Sequence, residues 1–336
     1  MRFAPPPGLV PGLLALLPCL TADCPPVGGQ AVMEGVMMRN GDTYGLAVRR
    51  PDGVIRAQRL PWFSLTRHAW LKKPFVRGFP VLLETLVNGI QALNRSVEAA
   101  AQGEEEELSG WHLALSLGLA LVMAVALFVV APHLLSLVML WLHLGGDVEG
   151  LSFHLWDGFF KCCIFMGYIR LISYVPDIRR VFQYHGAEHK TIHAFESGDE
   201  VSAAGAARMS RLHPRCGTTF LLFVICISII LHAVLVPLLL MIYTPQSAIA
   251  KHALTIAFKL LLMVPISALA YELIRYAARM PDGFWATLLR APGLALQRLT
   301  TYEPDEAQLD VAVVALREAL GPDAGDNIRT APYTEA

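Results

Sequence analysis

The sequence predicts a mainly α-helical, polytopic membrane protein with about four spans and a small cytoplasmic α+β portion. Three observations lead there. Only 16% of the 336 residues are charged while 54% are apolar, and the mean hydropathy is +0.47; soluble domains carry roughly 25% charged residues. Several apolar runs reach the ~20 residues that a helix needs to cross a hydrocarbon core. Lysine and arginine alternate in density from one side of these runs to the other, as the positive-inside rule requires.

The clearest span is the run 111–144, interrupted only by Pro132, His133 and His143. The runs 220–243 and 253–276 follow the same pattern, the latter containing Lys259. The stretch 156–175 carries Lys161 and Arg170 near its ends and is read as a further span with snorkelling cations. Lys259 is read likewise, reaching the outer headgroups, and His133, His143 and His232 as isolated packing residues. Eleven Lys/Arg precede Trp111, seven lie from Arg170 to Arg215, and six from Arg275 to Arg329. The loop 145–157 has none and 244–252 has only Lys251. Alternation is self-consistent for four spans with both termini cytoplasmic, hence a multi-pass inner (cytoplasmic) membrane protein with the lipid bilayer as its partner. The basic residues follow topology and not a groove, so nucleic acid is excluded as a partner. No internal repeat supports an inverted-repeat transporter plan.

Residues 1–26, whose apolar stretch to Leu20 is broken by Pro5, Pro6, Pro7, Pro11 and Pro18, read as a disordered or over-annotated extension. Residues 27–105 read as a β-hairpin, with strands around 44–48 and 54–57 joined at Pro51-Asp52-Gly53, followed by an amphipathic helix near 74–97. Its apolar stripe is Val81, Leu82, Thr85, Leu86, Gly89, Ile90 and Leu93. Glu104 to Glu107 make a solvated linker. Residues 106–280 form the membrane domain, 281–320 a cytoplasmic amphipathic region, and 321–336 a disordered tail. Three of the six cysteines lie in apolar runs, where cysteine behaves as a small hydrophobe and not as part of a disulfide framework.

Chemistry concentrates in 177–198, read as one helix begun near Asp177 and ended at Ser197-Gly198-Asp199. His185, Glu188, His189, His193 and Glu196 fall along one stripe at the helical repeat. Two imidazoles at i and i+4 can converge on one divalent cation, and a carboxylate can complete or activate the site. His-x-x-Glu-His is the inverted zinc-peptidase motif, in which the two histidines ligate and the glutamate activates water. The alternative is a solvated polar helix face. His213 and Cys216, three apart beside Pro214, are either further ligands or part of a basic flank before a span. Glu272 is a candidate distant carboxylate, or the local ion-pair partner of Arg275. Glu34 and Arg39 are polar groups in a Val/Met segment opened by Gly28, Gly29 and Gly35; they sit beside the metal or substrate, or else in a buried strand and turn.

The blocks 28–39, 184–190 (Tyr-His-Gly-Ala-Glu-His-Lys), 213–217 (His-Pro-Arg-Cys-Gly), Tyr271-Glu272 and 300–304 (Thr-Thr-Tyr-Glu-Pro) resemble a bacterial family of unknown function, DUF1385, with YqhQ-like members. The resemblance runs from Val27 to about Leu320 and implies a metal-dependent enzyme whose reaction and substrate are not established. The combined expectation is a membrane-embedded, hydrolytic enzyme holding a divalent metal such as zinc on His185 and His189, completed by Glu272, His193, Glu196 or His213 with Cys216, with Glu188 as general base. The alternative class is a non-catalytic membrane protein, a metal-ion carrier or assembly partner.

Overall fold

A computed structural model describes residues 27–100, 110–198, 200–281 and 283–335. The expectations for 1–26 and for the acidic linker lie outside the described residues. The N-terminal strands β1 (Gly28–Val32), β2 (Gly35–Asn40), β3 (Thr43–Arg49) and β4 (Ile55–Pro61) form an antiparallel meander. The expected hairpin is its β3–β4 pair, which turns at 50–54 with Gly53 at φ 83°. The sheet is covered on both faces, because β2 and β3 are apolar at almost every position and not at every second one. Val36, Met38 and Ala47 face one side, and Met37, Leu46 and Val48 the other.

The first side is covered by α11 (Glu306–Leu320) and by α5 (Pro176–Ser197). Helix α11 is not a surface amphipathic helix: Val311 to Leu316 are all at 0% exposure, so it forms the centre of this small core. The segment read as a disordered tail goes on to add β5 (Tyr333–Glu335), parallel to β4. The other side is covered by α1 (Gly78–Ala100), whose apolar stripe does not face the sheet. It buries Glu84, Asn88, Ala92 and Ser96, while Leu86, Leu93 and Val97 are exposed. The reason is local: Asn88 exchanges two 2.9 Å hydrogen bonds with the backbone of Phe63, and Glu84 accepts from the Ser64 hydroxyl and Thr66 N–H. Those bonds outweigh the orientation that burial of leucines alone would choose.

The membrane portion begins with α2 (Gly110–Val125), a π-helical turn (Ala126–Val130) and α3 (Ala131–Trp141) with Pro132 in its first turn. Then come α4 (Leu151–Ile172), α7 (Gly217–Ile242), α8 (Ala248–Leu261) and α9 (Met263–Arg279). Three helical segments, Leu115–Trp141, Gly217–Ile242 and Ala248–Arg279, are long and apolar enough to cross a membrane. A fourth candidate is α4 with α5, which meet at a 99° bend. At 1.5 Å per residue the 22 residues of α4 reach about 33 Å by themselves, and α5 leaves them to pack on β1 and α11. The short α6 (Ala203–Ala207) and α10 (Phe284–Thr300) complete the fold; α10 packs against α7 and α4.

Two expectations about the spans fail. Lys161 and Lys259 do not snorkel: they are 6% and 1% exposed and both contact Asp157, at 3.4 and 2.8 Å. His133 and His232 are not isolated. His133 lies 3.1 Å from His252 and 3.4 Å from Lys259, and His232 lies within electrostatic reach of Lys161, Lys259, Asp157 and His154. A single helix shows only the Asp157–Lys161 pair four positions apart, whereas the bundle brings Lys259 from α8 onto the same carboxylate.

Candidate metal centre

Helix α5 runs unbroken from Pro176 at N1, with Asp177 in its first turn, to Gly198, whose φ of 75° ends it in the left-handed conformation. His185, Glu188 and His189 therefore share one continuous helix. The loop leading into α7 crosses this helix, and Cys216 caps α7 by accepting the Thr218 N–H at 3.4 Å on Sγ. The segment after α10 crosses α5 at Gly186, where a Cβ would collide with the Tyr302 carbonyl oxygen; Tyr302 N–H donates to the Phe182 carbonyl at 2.9 Å.

These crossings bring two groups of ligand atoms together, each within 4.8 Å of one another: His185, His189 and Cys216, and His193, Glu196 and His213. In the first group His185 Nδ1 is 2.8 Å from the Thr300 carbonyl and His189 Nδ1 is 2.6 Å from the Arg211 carbonyl. A carbonyl only accepts, so each Nδ1 carries the proton and each Nε2 is left as a lone pair. His185 Nε2 lies 3.2 Å from Cys216 Sγ, and His189 is hydrogen-bonded to the same sulfur. This is the orientation that outer carbonyls impose on ligating histidines. In the second group His213 Nε2 lies 3.4 Å from Glu196 Oε2, but Arg215 pairs with the other oxygen of Glu196. His193 has committed Nε2 to the Leu212 carbonyl at 2.9 Å. The carboxylate already has a cation, so the first group is the better site for a metal.

The electrostatics agree. Burial holds His189, His193 and His213 below the usual imidazole range, His213 at about 4, so all three rings are neutral at pH 7, the form in which His189 can ligate. Burial alone would raise the Cys216 thiol, but the Thr218 N–H and hydroxyl at its sulfur favour the thiolate, the form that binds metal. Glu188 is 4% exposed, beside His185 and Cys216, and burial pushes its carboxyl up to about 8. It accepts the Gly29 N–H, while its Oε2 has no hydrogen-bond partner among the described residues. Gly29 is required there: a Cβ would come within 2.6 Å of the Met37 carbonyl oxygen and would also crowd the Glu188 carboxyl carbon at 3.0 Å.

The other candidates lie elsewhere. Glu272 pairs through both oxygens with Arg77, at 2.7 and 2.6 Å, and also accepts the Phe75 N–H; neither ligand group includes it. Its partner is thus an arginine ahead of α1 and not Arg275. Glu34, at φ 50° in the β1–β2 turn, pairs with Arg180 and takes a 3.4 Å contact from the Tyr184 hydroxyl. Arg39 stacks over Trp62 at 4.0 Å on the α1 side of the sheet. Sequence reasoning missed Gln297, which clamps the His213 backbone through two 2.8 Å hydrogen bonds, and Arg211, whose carbonyl orients His189. A buried glutamine in an apolar helix was the available signal for the former; a backbone oxygen leaves none.

Comparison with known proteins matches residues 73–322 to the family model described as "Protein of unknown function (DUF1385)". The chain belongs to the DUF1385 family. It is 33% identical over 314 residues to the "Uncharacterized protein YqhQ" of Bacillus subtilis (strain 168), covering 88% of this chain and 92% of that protein. No solved structure matches. The His185, His189 and Cys216 group and the Glu188 carboxyl all fall inside the stretch matched to the DUF1385 model.

Proposed function

We propose that this DUF1385 protein is a membrane-embedded, metal-dependent enzyme of hydrolytic type, with its metal centre and both termini on the cytoplasmic side. The observation that carries the reading is the pair of imidazoles locked by the Thr300 and Arg211 carbonyls, each directing Nε2 toward Cys216. Two nitrogens and one thiolate suit zinc and leave a fourth position open, as catalytic sites do. A divalent cation there supplies Lewis acidity toward water and toward carbonyl or phosphoryl oxygen.

The chain's own residues do the rest. Glu188, raised toward neutrality and with Oε2 unengaged, is suited to take a proton from an attacking water and return it to a leaving group. His193 and Glu196, one and two turns beyond His189 on α5, hold the ligand loop through the Leu212 carbonyl and His213. The carrier alternative needs polar groups continuous from this site into the bundle. Instead Phe165, Ile169, Ile225 and Leu296 form an apolar cluster between Cys216 and His232, which favours the enzyme.

Metal analysis of the purified full chain tests the reading. Wild type should carry a stoichiometric divalent metal, and His185→Ala/His189→Ala should lose it. Glu188→Gln should keep the metal while hydrolytic turnover falls ~10²-fold or more. Loss of metal from Glu188→Gln as readily as from His189→Ala would make Glu188 a ligand and end the hydrolase reading.

A further inference from the structure

The bundle contains a second set of ionisable groups, remote from the metal centre. Asp157 and Lys161 of α4, His154 one turn earlier, His133 of α3, His232 of α7 and Lys259 of α8 are all between 0% and 6% exposed. Helices with so few charges rarely bury them without a use, since an ionised group at membrane depth is expensive and is kept where it serves a function. Lys259 Nζ lies 2.8 Å from Asp157 Oδ1 and Lys161 Nζ 3.4 Å from Asp157 Oδ2. Two ammonium groups therefore share one carboxylate, a surplus of one proton.

That surplus has a connected way out. Lys259 Nζ is 3.4 Å from His133 Nδ1, and His133 Nε2 is 3.1 Å from His252 Nδ1. An ammonium only donates, so His133 must accept on Nδ1, carry its proton on Nε2, and donate that proton to His252 Nδ1. His252 is only half-buried and sits where α8 begins, next to Lys251. Lys251 in turn pairs with Asp147 at 2.8 Å and Glu149 at 2.7 Å, which ties the loop before α4 to the start of α8. This end of the bundle is opposite the metal centre, because α7 runs from Cys216 at one end to Ile242 at the other. On the other side the chain of bonds stops. The remaining groups facing the cluster are His154, bonded through Nε2 to the Val148 carbonyl at 3.0 Å, and His232, whose two ring nitrogens have no partner among the described residues. Beyond them lies the apolar cluster of Phe165, Ile169, Ile225 and Leu296.

We propose that the bundle holds one exchangeable proton on the Lys161–Asp157–Lys259 group, exchanged through His133 and His252 with the compartment that the 142–150 and 243–247 loops face. Release is a chain of proton shifts. A Lys259 N–H bond breaks as His133 Nδ1–H forms, His133 Nε2–H breaks as His252 Nδ1–H forms, and His252 Nε2–H passes its proton to water. Lys259 is left as a neutral amine donating to the Asp157 carboxylate, and the three-residue group is then neutral. Uptake is the reverse. By the Lys/Arg distribution that compartment is the outer one, so the protein senses or takes up protons from outside while its metal chemistry faces the cytoplasm.

The test is nitrogen NMR of the full chain, ¹⁵N-labelled at histidine, in lipid nanodiscs, titrated from about pH 5 to about pH 8. The expected wild-type result is His133 in the Nε2–H form and a transition shared by His133 and His252, as coupled sites require. Lys259→Met should abolish the shared transition and leave His252 titrating independently of His133, with the His185 signals unmoved. Should that variant fail to fold, Lys259→Gln, which keeps a donor toward the Asp157 carboxylate but has no proton to release, replaces it with the same expectation. His252→Gln, at a half-buried position, should isolate His133 from the solvent pH altogether. A His133 signal that stays constant in wild type, or that titrates identically in wild type and the lysine variants, overturns the proposal.

Discussion

Gly186→Ala separates two effects that pull in opposite directions. In the interior of α5 alanine is favoured over glycine by about 1 kcal/mol. Against this, the new Cβ would point into the Tyr302 carbonyl oxygen, with the ring of Pro304 also 3.4 Å away. Both belong to a strap bonded to α5 through Tyr302 N–H and the Phe182 carbonyl, so neither can rotate aside as a flexible side chain would. Overpacking of this kind costs about 1–3 kcal/mol, so the net change in stability is small and destabilising, about 0–2 kcal/mol after the helical gain is subtracted. The larger consequence falls on the metal centre. The strap continues directly from the last residue of α10, Thr300, whose carbonyl holds His185 Nδ1 at 2.8 Å, and displacing the strap moves that carbonyl and releases the ring. Loss of such an outer partner lowers metal affinity by about 10–100-fold, or about 1.4–2.7 kcal/mol. Competition against a chromophoric chelator, run on detergent-solubilised wild type and variant beside a thermal melt, measures both. If Gly186→Ala melts higher and binds metal as tightly as wild type, the strap does not position His185 and the carbonyl-clamp argument fails.

Other substitutions probe separate parts of the molecule. Asn88→Ala leaves the Phe63 backbone groups without their partner and should destabilise by about 1–3 kcal/mol in a denaturant melt; no measurable change would mean that α1 is held by something other than this clamp. Glu272→Gln should cost about 1–2 kcal/mol through its half-buried pair with Arg77 and leave metal content unchanged; loss of metal would return Glu272 to the ligand set. For Glu84, burial alone would raise the carboxyl, but the Thr66 N–H and Ser64 hydroxyl donate to it and leave it below its ordinary 4.5. Its contribution is therefore full above pH 4.5 and lost as pH falls through the depressed value, so Glu84→Gln should flatten the acid side of the stability profile, and an unchanged profile would contradict that assignment. A cysteine placed at Gly150 should be labelled by impermeant reagents from outside intact cells; labelling only after the cytoplasmic face is opened would invert the proposed orientation.

The parts legible in the sequence are those governed by local spacing. The apolar runs announce the spans, the i, i+4 histidines announce a shared stripe on α5, and Gly198 marks where that helix stops. What was not legible depends on packing between distant segments. Cys216 reaches His185 across 31 positions, and Glu272 reaches Arg77 across 195. The face of α1 was misjudged because Glu84 and Asn88 bind the 63–66 backbone, a demand that no apolar periodicity registers. The buried charges were the nearest miss. Asp157 and Lys161 stand one helical turn apart within an apolar run, which was itself the signal, but Lys259, which shares the carboxylate, lies 102 positions from Asp157.

The small sheet draws its cover from both ends of the chain, and this has a consequence for how the protein is made. Strands β1 to β4 are complete by Pro61, whereas α11, which buries Val36, Met38 and Ala47, begins only at Glu306, and β5 is later still. On the ribosome the strands emerge first and must wait, one apolar face uncovered, while every span enters the bilayer. An unpaired apolar sheet held open that long is a target for chaperones and for aggregation. Nascent chains stalled between Arg279 and Glu306 would carry all their spans and no finished head. A premature stop in that interval should therefore yield a protein that inserts into the membrane yet is recognised there as unfinished.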